Sequence, residues 1–287
     1  MRDDFAAFIL THGRPDRVFT LDLLERTGYT GRVYLVIDDE DATGLDYRRR
    51  YGNQVLTFSK EEISKTFDEG DNFNDRRSIT YARNACWQLA RQVGVEWFVQ
   101  LDDDYTRWSH SYDSAGEYLP ACPQIRNLDT LFEAMVRFMK DVPYCTTVAS
   151  AQYGDFIAGV GNFKAQGPLT RKAMNTFVCH VDRPMTFVGR MNEDVNTYTA
   201  KSRTGEVVAF TFSRVRVQQM PTQSNAGGIT ELYQEVGTYT KSFYTVMMAP
   251  SAATVRTMGV SERRLHHRID WNATAPLILH ERHRKSA

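Results

Sequence analysis

Three consecutive aspartates, Asp102, Asp103 and Asp104, end the apolar run "EWFVQL" at residues 96–101. In an extended chain, residues two apart project to the same side. Asp102 and Asp104 therefore converge, and two carboxylates at one point make a hard oxygen site for Mg²⁺ or Mn²⁺. Such a site characteristically holds the metal between the protein and a substrate diphosphate. An acidic turn or a helix cap is the plainer reading of the same residues. A second acidic pair, Glu193-Asp194, follows Asn192 in "GRMNEDVNTY" (189–198). It suits a helix N-terminus capped by Asn192, or a general base presented rigidly at one.

Both pairs need rigid supports, and the surrounding pattern supplies them. "FAAFIL" (5–10), "RVYLVI" (32–37) and "VEWFVQL" (95–101) read as buried strands. Val18, Leu21 and Leu24 recur at helical spacing after the first, with Gly28 as a stop. Ile79, Ala82, Cys86, Leu89, Ala90 and Val93 mark one face of a helix that Gly94 ends. Leu128, Leu131, Phe132, Met135 and Phe138 mark another, closed by Pro143 and followed by the strand-like "CTTVASAQ". The stretch from the acidic turn "DDED" (38–41) to about residue 77 reads as polar and irregular, so the aspartates follow the third strand.

Alternating buried strands and amphipathic helices imply a mainly parallel sheet with helices on both faces. Ligands of such sheets bind beyond the carboxyl ends of the strands. Thr11-His12-Gly13-Arg14, Asp38-Asp39 and the aspartate triplet all fall there and are expected on one rim. "EVVAFTFSRVRVQQ" (206–219) puts Val208, Phe210 and Phe212 on one face, then changes phase to Val215 and Val217, with Arg214 and Arg216 opposite. A bulge near Ser213 accounts for the slip, and the segment reads as a strand of a mixed sheet.

The 35 basic and 35 acidic residues balance, so the total charge does not indicate a strongly basic nucleic-acid binder. From Arg263 onward, six Lys/Arg stand against two acids, with four of the seven histidines. That segment reads as a phosphate-meeting face or a solvated tail. No apolar run approaches the roughly 18 residues of a membrane span. "MRDDFAAFIL" is too acidic, and its apolar part too short, for a secretory signal. Cys86, Cys122, Cys145 and Cys179 form no CxxC pair, which argues against a zinc module and for a reducing, cytoplasmic setting. With no repeat or low-complexity linker, residues 1–287 read as one domain with a basic segment from 263 to 287.

"DDDYT" matches the D-x-D-x-T pattern of haloacid-dehalogenase-like phosphatases, in which Asp102 would be a nucleophile. That pattern usually follows a first strand and needs a later acidic pair; "GDFIA" at 154 fails the spacing. The order of motifs instead resembles the nucleotide-sugar glycosyltransferases of GT-A fold. "FILTHGRPDR" is similar to their opening nucleotide-binding strand, "SITYARNACWQLA" to their A-R-N helix, "QLDDD" to their D-x-D motif and "RMNEDVNTY" to the E-D motif of inverting members.

The resemblance implies an α/β, GT-A-like, Rossmann-type and mostly parallel sheet flanked by helices, with a mixed-sheet C-terminal part. It implies a nucleotide-sugar-binding half (1–105), an acceptor half (106–262) and a metal-dependent reaction. By it, Thr11, Gly13, Arg14 and Asp103 belong to the donor site, and Asp38 holds the uracil or ribose. Arg83 and Asn84 touch phosphate or ribose, unless Arg83 only pairs with the acidic rim. Asp102 and Asp104 hold Mn²⁺ or Mg²⁺, with a third ligand from His266 or His267; surface histidines of a basic patch are the other reading of those two. Asp194 is the base, with Glu193 second.

A narrower resemblance lies in "ARN", "LDDD", "GRMNEDVNTY", "QSNAGGITELY" and "HHRIDW". These are similar to the phage TET-associated glycosyltransferases, which attach a sugar to the hydroxymethyl group of 5-hydroxymethylcytosine in phage DNA. Duplex DNA is then a partner, its cytosine extruded to reach the metal. Arg76, Arg77, Arg214 and Arg216 become candidates for phosphates, or else lie on solvated faces or in internal ion pairs. Gly227-Gly228 permits close approach of an acceptor or forms a turn, and Trp108 and Tyr105 stack on a base or sugar or pack in the core. The same chemistry on a glycan, lipid or protein is the competing reading. A non-catalytic DNA-binding module would leave the acidic rim unexplained.

Overall fold

Every residue of β1 (Phe5–Leu10) is buried, and its alternating side chains build two cores, one on each face of the sheet. Phe5, Ala7 and Ile9 join Leu23 and Leu24 of α1 (Phe19–Arg26) and Phe132, Met135 and Val136 of α5 (Leu128–Asp141). Ala6, Phe8 and Leu10 join Tyr81, Ala85 and Leu89 of α4 (Thr80–Gln92). Helices thus cover both faces, as a fully apolar strand requires. The computed structural model describes residues 1–71, 73–121, 123–156, 173–220, 230–258, 263–275 and 281. The loop carrying Gly227 and Gly228 lies outside the described residues, as do Cys122 and residues 282–287.

The other strands are β2 (Arg32–Asp38), β3 (Val55–Phe58), β4 (Trp97–Asp102), β5 (Tyr105–His110), β6 (Thr147–Gln152), β7 (Phe177–His180) and β8 (Ala209–Gln219). They form one sheet in the order β3-β2-β1-β4-β7-β6-β8-β5. β3, β2, β1 and β4 run parallel, and β6 runs parallel to β8. β7 is antiparallel to both its neighbours, and β5 to β8. The fold is α/β with a mixed, mostly parallel sheet. The pairing of β6 with β8 jumps from Ser150↔Phe212 to Ala151↔Arg216, so the irregularity falls around Ser213. It lets Phe210 and Phe212 pack against Phe138 while Val215 and Val217 enter the core.

Two expectations need correction. The stretch between Asp38 and residue 77 is not irregular throughout: it holds α2 (Gly44–Tyr51), β3 and α3 (Lys60–Ser64). Half of α2 is charged and β3 has four residues, too short for a periodic signal. The aspartates therefore close the fourth strand. The basic residues at 264 and 268 lie in a strand, not in a solvated tail. β10 (Arg264–Ile269) pairs antiparallel with β9 (Ala253–Met258), and both pack on α7 (Thr230–Met248). The described cysteines Cys86, Cys145 and Cys179 are buried free thiols. Among the described residues, no helix is long and apolar enough to cross a membrane.

Candidate active site

The register places the three strand ends side by side. Leu10 of β1 is level with Val36 of β2 and Asp102 of β4. One residue further, Thr11 donates its hydroxyl hydrogen to Asp103 at 2.7 Å, and one beyond that, His12 Nδ1 meets Asp38 at 2.8 Å. The aspartate turn is tied from below by the fully buried Thr20. Its hydroxyl donates to the carbonyl of Asp102 at 2.6 Å and accepts from the amide of Tyr105 at 3.1 Å, and its own amide donates to the carbonyl of Asp103.

The alternation expected of the triplet holds. Asp103 turns one way, buried, onto Thr11 and the guanidinium of Arg14 at 2.8 Å. Asp102 and Asp104 turn the other way and share one donor, the side-chain amide of Gln219, at 2.9 and 3.3 Å. Asn175 fixes that amide by donating to its oxygen at 2.6 Å. Burial raises the carboxyl groups of Asp102 and Asp104, and neighbouring negative charge adds to it. For Asp104, Asp102 and Asp103 are the neighbours, and it is pushed up to about 7. This is a cluster short of positive charge.

Arg83 supplies part of what is missing. It is 1% exposed and bridges the two acidic motifs: its terminal nitrogen meets Asp102 at 2.9 Å and its Nε meets Glu193 at 2.8 Å. The rings of Phe177 and Phe187 lie within 5.1 and 5.7 Å of the guanidinium. Burial works against its charge, but Asp102 and Glu193 outweigh that and hold it protonated.

Glu193 and Asp194 open α6 (Glu193–Ala200). Asn192 precedes them in the left-handed conformation (φ 54°), where asparagine is tolerated. Its side chain does not cap α6; it donates to the carbonyl of Lys241 and to Thr245 on α7. Asp194 accepts from the amide of Val195 at 2.7 Å and lines a narrow cavity with Phe177, Phe187 and Tyr198. Burial, then the charge of Glu193, push its carboxyl up to about 7. The loop before it is anchored through Gly189 and Arg190. Gly189 (φ 81°) donates to the carbonyl of Asp68, and a Cβ there would meet Asn196 at 2.5 Å. Arg190 pairs with Asp71 at 2.7 Å, and Tyr244 donates to the same carboxylate at 2.6 Å.

Several sequence-predicted residues do other work. Asn84 clamps the backbone of Phe187, donating to its carbonyl at 3.0 Å and accepting from its amide at 2.8 Å. It positions the loop at Phe187. Arg83 is sealed between two acids, so pairing with the rim is the reading its burial favours. Trp108 is wholly buried against Tyr105 and Phe132, so it cannot stack on an acceptor; Tyr105 is buried too. Arg216 is buried against Tyr118, Leu119 and Pro120. Arg76 pairs with Glu40, and Arg77 with Asp75 and Glu235. Arg214 is exposed. His266 and His267 lie on β10, in the separate hairpin. Among the described residues, no group of three or more His, Cys, Asp or Glu is gathered to hold a metal.

Asp38 is 7% exposed and is filled from within: it accepts from His12, from Lys60 Nζ at 3.0 Å and from the amide of Glu40 at 3.1 Å. Gly13 donates its amide to Asp41, and Arg14 its amide to Tyr47. Gln219 and Lys60 are the site residues that sequence reading missed. Gln219 ends a strand far from the triplet, and only the pairing Tyr105↔Gln219 brings it there. Lys60 sits in the stretch read as irregular.

Among solved structures, the chain is similar to glucosyl-3-phosphoglycerate synthase from Mycobacterium tuberculosis in complex with Mn²⁺, UDP and phosphoglyceric acid. The identity is 12%, over 93% of this chain and 87% of that one, with a TM-score of 0.45. The UDP complex of that enzyme gives 11% identity over 91% and 86%, with a TM-score of 0.47. TarS 1–349 of S. aureus gives 11% over 85% and 70%, with a TM-score of 0.42. No curated protein matches. The family model of the TET-Associated Glycosyltransferase matches residues 5–228. Since that match spans most of the sequence and includes both acidic motifs, the chain belongs to the TET-associated glycosyltransferase family.

Proposed function

We propose that this glycosyltransferase moves a sugar from a nucleoside-diphosphate sugar to the hydroxymethyl oxygen of 5-hydroxymethylcytosine in phage DNA, with a divalent metal and inversion at the anomeric carbon. The observation that carries the chemistry is the chain of charge Asp104–Asp102–Arg83–Glu193, with Asp194 beside it. It joins a diphosphate-side acidic site to a candidate base through one buried guanidinium.

The residues present fit a hard cation. Two carboxylate oxygens already converge on a single polar hydrogen donor, and burial and the charges of Asp102 and Asp103 crowd Asp104. Asp102 and Asp104 would hold Mn²⁺ or Mg²⁺, whose contribution is to stabilise negative charge on the departing diphosphate. Arg83 fixes the orientation of Asp102 and, through its Nε, that of Glu193. Asp194 takes the acceptor proton. As the acceptor oxygen bonds to the anomeric carbon, the bond to the diphosphate oxygen breaks and its electron pair leaves with the nucleoside diphosphate. A carboxylate raised to about 7 is matched to base work near neutral pH.

The DNA acceptor rests on family membership. Exposed Arg214 is a candidate phosphate contact, whereas Arg76, Arg77 and Arg216 are engaged internally. The balanced charge of 35 against 35 favours the second reading, the same transfer to a glycan, lipid or protein. The test is to follow release of nucleoside diphosphate from a panel of nucleotide sugars with hydroxymethylated DNA, plain DNA and oligosaccharides. Release that requires hydroxymethylated DNA and divalent metal supports the proposal. Release with an oligosaccharide alone moves the acceptor.

A further inference from the structure

The rim holds a titratable group that the chemistry above leaves unused. His12 stands at the end of β1, level with Asp38 of β2 and on the same rim as Asp102. Its Nδ1 is taken by Asp38 at 2.8 Å, with Asp41 at 3.7 Å behind, which fixes the ring. The imidazole is 43% exposed, whereas the Asp38 carboxylate is 7% exposed and already accepts three hydrogen bonds. What Asp38 offers a ligand is therefore limited; what the pair presents to solvent is the histidine ring, with Nε2 as its remaining nitrogen.

We propose that His12 donates an Nε2–H hydrogen bond to an oxygen of the donor nucleotide, and that Asp38 acts as the positioning residue behind it. The proposal rests on the nucleotide-sugar reading above. The charged groups around His12 agree with it. Asp38 and Asp41 favour the imidazolium; Lys60, 3.0 Å from the far side of Asp38, opposes it. The hydrogen bond that the ring donates to Asp38 is the largest influence, and the ring's affinity for a proton rises above that of a free histidine. Glu40 is drawn off by Arg76, and Asp41 by the amides of Gly13 and Thr43. The ring therefore keeps its proton to higher pH than a free histidine does. Donor binding should weaken as pH rises through the imidazolium's titration, by up to tenfold per pH unit, since the ligand favours the protonated form.

The experiment measures affinity by calorimetry for UDP-, GDP-, ADP- and TDP-glucose between pH 6 and 9, at fixed saturating Mg²⁺. These sugars carry no phosphate that titrates in that range. Histidine ring ¹⁵N shifts are followed in parallel. The parent should lose affinity as pH rises. His12→Gln should weaken binding on the order of tenfold at pH 6 and remove the fall in affinity with rising pH, with unfolding temperature unchanged. Asp38→Asn should shift the parent's curve to lower pH and lower the ring's titration midpoint by NMR. A His12→Gln protein that keeps the parent's pH dependence, or a ring whose midpoint is the same with and without the sugar nucleotide, overturns the role of His12 while leaving nucleotide binding intact. A parent that binds none of the four overturns the nucleotide reading itself, and His12 with it.

Discussion

Arg83→Met is the most informative structural perturbation, because it removes charge while nearly conserving volume. The guanidinium is 1% exposed and is shared by Asp102 at 2.9 Å and Glu193 at 2.8 Å. Removing one partner of a buried ion pair leaves an uncompensated charge and costs about 3–5 kcal/mol. For a chain of this size, each kcal/mol moves the melting temperature by roughly 2–4 °C, so a drop on the order of 6–20 °C is expected. The loss has a sign in pH. Burial already raises the carboxyl of Asp102, and Arg83 opposes that rise. Without Arg83, Asp102 gains protons in the folded state at pH values where the unfolded chain has lost them. Stability then falls as pH rises above the ordinary carboxylate range of about 4. Thermal unfolding of parent and variant at pH 5.5 and pH 8 should therefore show the larger deficit at pH 8. A deficit under about 1 kcal/mol, or one equal at both pH values, would refute the bridge as a buried, charge-balancing element. Arg83→Lys should recover only part of the loss, since one ammonium cannot reach both acids in the same geometry.

Asp102→Asn and Asp104→Asn should each abolish most transfer; Asp104→Asn should leave the melting temperature at or above that of the parent, because it removes like-charge crowding, whereas Asp102→Asn should lower it by weakening the pairing with buried Arg83; chelator should silence the parent, and the assay is product formation beside thermal unfolding. Asp194→Asn should lower kcat by about 10²–10⁴-fold with donor affinity unchanged. In the parent, kcat should climb with pH through about 7 as Asp194 ionises, and that limb should vanish in the variant. Glu193→Gln should cost stability through Arg83 more than it costs the basic limb, which separates the two acids in a pH–rate profile. Gly189→Ala should destabilise by about 1–3 kcal/mol, given φ 81° and a Cβ 2.5 Å from Asn196, as chemical denaturation can measure.

Much of this was legible in the sequence where a signal was local. The triplet's alternation, the rim shared by Thr11, Asp38 and Asp102, and the slip near Ser213 each follow from periodicity within a single strand. What was hidden was non-local. Gln219 reaches Asp102 and Asp104 only because β8 pairs with β5, and nothing in "VQQM" marks it. Arg83 read as a phosphate or ribose contact or as a partner of the acidic rim; its helix packs so that the guanidinium enters the protein between two acids, one of them 110 residues further along the chain. Trp108 followed a charged motif and read as a candidate platform; the core around Phe132 claims it. His266 and His267 carried the composition of metal ligands, and the pairing of their strand with β9, against α7, is a non-local feature that their composition did not announce. Asn192 looked like a helix cap and became a left-handed hinge tied to α7, a choice set by tertiary contacts with Lys241 and Thr245.

The central claim is transfer of a sugar to hydroxymethylated cytosine from the Asp102–Asp104 site. Its most direct test is nucleoside mass spectrometry of 5-hydroxymethylcytosine-containing duplex DNA after incubation with the enzyme, Mn²⁺ and each of a panel of nucleotide sugars. One donor should convert hydroxymethylcytidine to a species heavier by a single glycosyl group, with plain cytosine untouched and no product from Asp102→Asn. Unmodified hydroxymethylcytidine with every donor, alongside turnover of the same donors on an oligosaccharide, would contradict it.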